Sequence, residues 1–200
     1  MRCTTSTVLP FLLSILLCLA ACQEPPPFIF KGDSRPEEMP DPNHPCVNYD
    51  ESTNFDDHIL DAVRSRSDGQ KFLQWLLETE TLAPRVYEYL TATGNGPITL
   101  LLPTNEAVER FEAEYPDVLD DTDRFLNVLK HHMILINVNF VQFQNDGFQP
   151  AMNREPLEYT ITNDYCVTFE NRARLIMGDD FCDRGVIHLI DEVLIPEKGF

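Results

Sequence analysis

Serine disappears from the chain after Ser67, which removes a serine nucleophile from the strand-rich half described below. No Gly-x-Ser-x-Gly, His-Glu-x-x-His, Cys-x-x-Cys or Gly-rich phosphate loop occurs either. Scattered carboxylates remain, but no spacing fixes an acid/base pair. The expectation is a protein that is not an enzyme and needs no cofactor or metal. Basic residues are scarce as well: 15 Lys and Arg stand against 33 Asp and Glu, a formal net charge of -18. Such a surface repels phosphates, which argues against nucleic acid and anionic lipid and favours soluble partners with basic patches. Asn-x-Ser/Thr is missing, so asparagine-linked glycosylation is not expected. Arg-Gly-Asp is missing too, and Asp183-Arg184-Gly185 has the wrong order. Beyond the N-terminus no apolar run reaches transmembrane length.

The N-terminus carries what the rest lacks. Arg2 precedes an apolar run from Val8 to Leu19, interrupted by Pro10, Ser14 and Cys18. Small residues follow in Leu19-Ala20-Ala21-Cys22. This reads as a signal peptide over residues 1–21 and predicts secretion. The same four residues resemble a bacterial lipobox, in which Cys22 would become a lipidated N-terminus. Cysteine parity favours the simple secreted reading, because Cys22, Cys46, Cys166 and Cys182 then make an even set. Of three connectivities, Cys166–Cys182 with Cys22–Cys46 is expected, since each pair is local. Residues 22–54 form a Pro-rich extended arm, with seven of the 15 prolines between Pro25 and Pro45. It is read either as a spacer or as a disordered leader.

A folded domain is expected over residues 55–200. Phe55, Ile59, Ala62 and Val63 repeat at helical spacing, as do Phe72, Leu73, Leu76 and Leu77. Pro84 can open a third helix carrying Val86, Tyr89 and Leu90. Gly94-Asn95-Gly96-Pro97 breaks the chain. Ile98–Leu102 reads as a buried strand ended by Pro103, and Thr104 or Asn105 can cap the helix of Ala107, Val108 and Phe111. A further helix should begin near Asp121-Thr122 and bury Phe125, Leu126, Leu129, His132 and Met133. Strand-like segments follow at 134–143, 157–162, 166–170, 173–177 and 186–195, with a tight turn at Asn171-Arg172. Helices first and strands second predict an α+β domain.

Three segments in order resemble the fasciclin-like (FAS1) family: Gly96-Pro97-Ile98-Thr99-Leu100-Leu101-Leu102-Pro103-Thr104-Asn105-Glu106-Ala107, then Leu129-Lys130-His131-His132-Met133-Ile134, then Gly185-Val186-Ile187-His188-Leu189-Ile190-Asp191-Glu192-Val193-Leu194-Ile195-Pro196. The resemblance implies a wedge-shaped, twisted β-sandwich with several packed helices. It also implies adhesion to an extracellular or cell-surface protein, integrins among them; the alternatives are a surface lipoprotein anchored through Cys22 and a small-molecule-binding variant of the fold. The family's middle Tyr-His is replaced here by His131-His132. These two are the candidate partner contacts: His131 is expected to be exposed, and His132 to be satisfied in the core by a backbone group. Pro103, Thr104, Asn105, Gly185, His188 and Asp191 are expected to be structural, with His188 and Asp191 bonding across to the first segment. Asp179, Asp180 and Asp183 lack the spacing of a calcium loop and are expected in a solvated loop.

Overall fold

Apolar side chains three and four residues apart pack onto one another only when the chain coils, and this decides the first half of the computed structural model. The structure describes residues 58–91, 96–143, 145–162 and 166–200, all within the unit Pro40–Phe200. Helices α1 (Ile59–Ser65), α2 (Gln70–Leu82) and α3 (Pro84–Thr91) bury Ile59, Leu60, Phe72, Leu76, Val86 and Leu90. Pro84 opens α3, where a missing N–H costs nothing. Helix α4 (Asn105–Glu114) is capped by Thr104, whose hydroxyl accepts from the Ala107 N–H. Asn105 therefore does not cap. Its side chain accepts from the Lys71 N–H at 2.9 Å and donates to the Ser67 carbonyl at 2.8 Å, tying α4 to the α1–α2 connection. A short helix α5 (Pro116–Asp120) has no counterpart in the sequence reading. Asp121 then caps α6 (Thr122–His131) through the N–H groups of Asp123 and Arg124.

Seven strands follow the order β2-β1-β7-β6-β5-β4-β3. They are β1 (Ile98–Pro103), β2 (Met133–Ile134), β3 (Gly147–Pro150), β4 (Pro156–Ile161), β5 (Val167–Phe169), β6 (Ala173–Cys182) and β7 (Gly185–Ile190). β1 and β7 run parallel, and the other pairs are antiparallel. Every residue of β1 and β7 is buried, which is why both read as continuous apolar runs rather than as alternation. An Ile134–Ala151 bridge and a 2.7 Å bond from Met152 N–H to the Met133 carbonyl join the edge beyond β3 to β2. The sheet is thus one ladder, nearly closed on itself, not two separate sheets. One apolar cluster lies under the helices. A second, including Leu101, Leu157, Phe169 and Ile190, fills the fold of the sheet. The architecture is α+β of the FAS1 type.

Several expected boundaries move, for a common reason. Helix α6 stops at His131, because Met133 pairs with Leu100 of β1. Of the segment 134–143 only Ile134 lies in a strand, as the second residue of β2. Beyond it the backbone is held by side chains: Thr99 Oγ1 donates to the Ile136 carbonyl and accepts from Val138 N–H, and Asp179 Oδ1 accepts from Phe140 N–H. Residues 191–195 behave alike, with Leu194 N–H donating to His132 Nε2. Side-chain partners satisfy these backbone groups without a strand. The turn after β5 is centred on Glu170-Asn171, both at φ 53°, one residue earlier than expected.

The expected Cys166–Cys182 bridge is not made. Cys166 is disulfide-bonded, but Cys182, the other described cysteine, is not its partner. The ladder explains why. Thr168 pairs with Arg174, which puts Cys166 level with Ile176. Cys182 lies six residues further along β6, roughly 20 Å at a strand's rise, far beyond disulfide reach. The expected Cys22–Cys46 pair lies outside the described residues.

Candidate functional site

The middle segment ends α6, and its two histidines do opposite things. His131 is buried, 1% exposed, which corrects the expectation of an exposed contact. Its Nε2 lies 2.6 Å from Glu170 Oε1 and its Nδ1 3.2 Å from Asn153 Oδ1. That Asn153 oxygen also accepts from Glu155 N–H at 3.1 Å, and the Asn153 amide donates to Asn127 Oδ1. Asn127 in turn donates to the Lys198 carbonyl at 2.6 Å. With an acceptor facing each ring nitrogen, the doubly protonated imidazolium is the form that satisfies both. Burial pulls the His131 pKa down, but the bond and charge of Glu170, helped by Asn153 and Glu155, outweigh it and hold the pKa above the ordinary value.

His132 is fully buried against the Phe72 ring, with centroids 5.1 Å apart. Nδ1–H donates to the Val128 carbonyl at 2.8 Å, and Nε2 accepts from Leu194 N–H at 3.0 Å. These two bonds fix a neutral tautomer. Burial pushes its pKa down to about 3. His188 is a second neutral staple: Nε2–H donates to the Val138 carbonyl at 2.7 Å, and Nδ1 accepts from Asp179 N–H at 3.2 Å. Burial depresses its pKa as well.

The remaining residues singled out from the sequence hold the frame. Pro103 ends β1 opposite Ile190, and Thr104 N–H donates to the Ile190 carbonyl. Asp191 receives the Arg174 N–H at 2.6 Å and Arg174 Nε at 2.8 Å. His188 and Asp191 therefore bond to the 138–140 segment and to β6, not to the first segment as expected. Asp179 and Asp180 lie on β6 rather than in a solvated loop, and Asp180 is buried against Arg66. Gly185 faces Ile98 across the parallel pair, where an added Cβ would sit 2.7 Å from the Ile98 carbonyl oxygen and closer still to Ile59. Gly185→Ala is expected to cost about 1–3 kcal/mol in a urea melt. Gly96→Ala, with nothing within 4 Å, is the control. Equal stability of the two variants would refute this account.

Glu170, Asn153, Asn127 and Arg66 were not legible as partners. The one hint was the turn signal beside Glu170. With both ring nitrogens of His131, His132 and His188 engaged, none has a free nitrogen to act as a general base on a bound molecule. The chemistry of the middle segment goes into fixing the turns at 151–155 and 170–172.

The Fasciclin domain model matches residues 70–196. Transforming growth factor-beta-induced protein ig-h3 from Oryctolagus cuniculus is 28% identical over 160 residues, covering 74% of this chain and 22% of its own length. The ig-h3 of Sus scrofa is 27% identical over the same span. Protein sll1483 of Synechocystis sp. is 27% identical over 107 residues, covering 52% of this chain and 58% of its own. The chain thus spans about a fifth of the length of the ig-h3 relatives. Among solved structures, a FAS1 domain pair from the insect cell adhesion molecule fasciclin I is similar, with a TM-score of 0.56 at 16% identity over 71% of this chain and 52% of that one. With a family model covering more than half its length, and the three segments built into one sheet and its caps, the chain belongs to the fasciclin domain family.

Proposed function

We propose that this chain is a secreted or cell-surface FAS1 module that mediates cell adhesion or binds an extracellular protein, without catalysis. The observation that carries this reading is the employment of its titratable interior: His131, His132 and His188 have both ring nitrogens bonded within the fold. Recognition then falls to the outer surface. The structural relative is described as a cell adhesion molecule, which agrees in kind. The proposed plan is a signal peptide at 1–21, an extended arm at 22–54 and the FAS1 domain at 55–200. Contact by the rings of His131 and His132 is not part of the proposal, because both are buried. Residues 22–200 coated on a surface should retain cells or matrix protein above an inert acidic protein. No retention would overturn the reading.

A second reading, anchorage through lipidated Cys22, rests on the lipobox-like Leu19-Ala20-Ala21-Cys22. Mass spectrometry of the mature N-terminus separates the two. The same sample tests the disulfide. Since Cys182 is not the partner of Cys166, and Cys3 and Cys18 leave with the signal peptide, Cys166 should pair with Cys22 or Cys46. Lipidation would leave only Cys46. Either bond closes a loop of more than 100 residues, stabilising by about 2–4 kcal/mol. A non-reducing peptide map showing Cys166 joined to Cys182 would refute this.

A further inference from the structure

We propose that the cleft between α3, the end of α6 and the 151–154 turn is a recognition site for carboxylates on an acidic peptide segment of a partner protein. This deepens the adhesion reading and rests on it only for the kind of partner. The cleft is open and about 350 Å³ in volume. Arg85, Lys130 and Arg154 line it together with Tyr89, Asn127 and Asn153, and no carboxylate does. This is an unusual neighbourhood in a chain of net charge -18. Elsewhere six of the described cations, Arg64, Arg66, Lys71, Arg110, Arg124 and Arg174, are ion-paired. Among the described residues, Arg85, Lys130 and Arg154 make no such pair.

Two of the three hold their places against local preference. Arg85 stands in the first turn of α3, where the helix dipole disfavours a cation. Arg154 adopts φ 73°, a left-handed conformation that a non-glycine residue holds at a cost. Strain of this kind concentrates at binding sites. Beneath them, the His131–Asn153–Asn127 chain fixes the floor. It also consumes acceptors: Asn153 Oδ1 is bonded to His131 and Glu155, and Asn127 Oδ1 to Asn153. What the cleft still offers is donors: two guanidinium forks, an ammonium and the second N–H of each amide. A donor-rich, acceptor-poor cleft suits a ligand made of acceptors, and guanidinium forks match carboxylates in pairs. A long polyanion fits less well. Charge is screened beyond about 8 Å at physiological ionic strength, so its flanks would meet the acidic surface without reaching the three cations. A short acidic stretch on a folded partner avoids that repulsion.

The test is a titration of the full mature chain by amide chemical-shift mapping, with a tetra-glutamate peptide as probe. Parallel arms use a heparin-derived tetrasaccharide and inorganic phosphate. Saturable shifts in residues 84–90, 127–131 and 151–155 are expected with the peptide. They should weaken at least tenfold in Arg85→Glu/Arg154→Glu, whose two exposed side chains leave the spectrum otherwise folded. Absence of shifts, shifts indifferent to the double substitution, or stronger binding of the tetrasaccharide or phosphate would each overturn the proposal. The titration needs no cell. A chain that retains cells but ignores the peptide sinks the cleft alone, and one that binds the peptide but retains nothing sinks the adhesion reading alone.

Discussion

Replacing Arg66 by methionine is expected to cost the domain about 3–5 kcal/mol. Arg66 follows α1 and holds Asp68 with two bonds, Nε at 2.9 Å and Nη2 at 2.8 Å. It also reaches Asp180 on β6. The side chains of Arg66 and Asp180 are 9% and 7% exposed. Coulomb attraction in such a setting roughly offsets the desolvation of both ions, so the intact pair adds little net stability. Losing one member is different, because a buried carboxylate then loses its countercharge. The double variant Arg66→Met/Asp180→Leu removes both ions and should recover most of the loss. Urea denaturation measures both. A single-variant loss below about 1 kcal/mol, or a double variant no better than the single, would contradict this account.

Acidification from pH 7 to pH 5 is expected to remove about 2 kcal/mol of stability. His132 is held near pKa 3 in the fold, whereas an unfolded histidine titrates near 6.5. Below pH 6.5 the unfolded chain takes up a proton that the folded chain refuses. Stability therefore falls with pH at up to about 1.4 kcal/mol per unit, or about 2 kcal/mol between pH 7 and 5 from His132 alone. His188 is depressed too and adds in the same direction. His131 has the opposite sign. Its pKa is raised by Glu170 against the pull of burial, so its contribution is complete below pH 6.5 and is lost as pH rises through the folded value. It offsets part of the acid loss and produces a second decline on the alkaline side. Urea melts at pH 5, 6, 7 and 8.5 test both limbs. His132→Gln should flatten the acid limb and His131→Gln the alkaline one. An acid slope unchanged in His132→Gln would show that the burial argument is wrong.

The elements easiest to read were those announced by their own composition or by spacing over a few residues. Ile98–Leu102 was legible because a strand buried on both faces must be apolar throughout, and α2 because Phe72, Leu73 and Leu76 share one face. Thr104 and Asp121 were legible as caps because a cap binds two or three residues ahead. The largest misreadings involve long-range partners. Leu135 and Ile136 have the composition of a strand yet lie exposed, since Thr99, 37 residues before Ile136, takes their segment's backbone bonds. His131 looked like a surface residue because nothing near it in sequence announces Glu170, 39 residues away.

The sequence alone determined the helix-then-strand order, the family segments and the structural character of Gly185. The first follows from periodicity, and the other two from the resemblance of those segments to the family. Tertiary structure decided which polar groups meet. It made His131 a buried partner of Glu170, set Arg66 on Asp180, moved Cys182 out of reach of Cys166, and gathered Arg85, Lys130 and Arg154 around one cleft. The physical reason is range. Backbone preference and apolar periodicity act over a few residues and are written locally. A hydrogen bond or charge contact depends on where the sheet's register carries two distant side chains, and that is fixed only when the whole ladder closes.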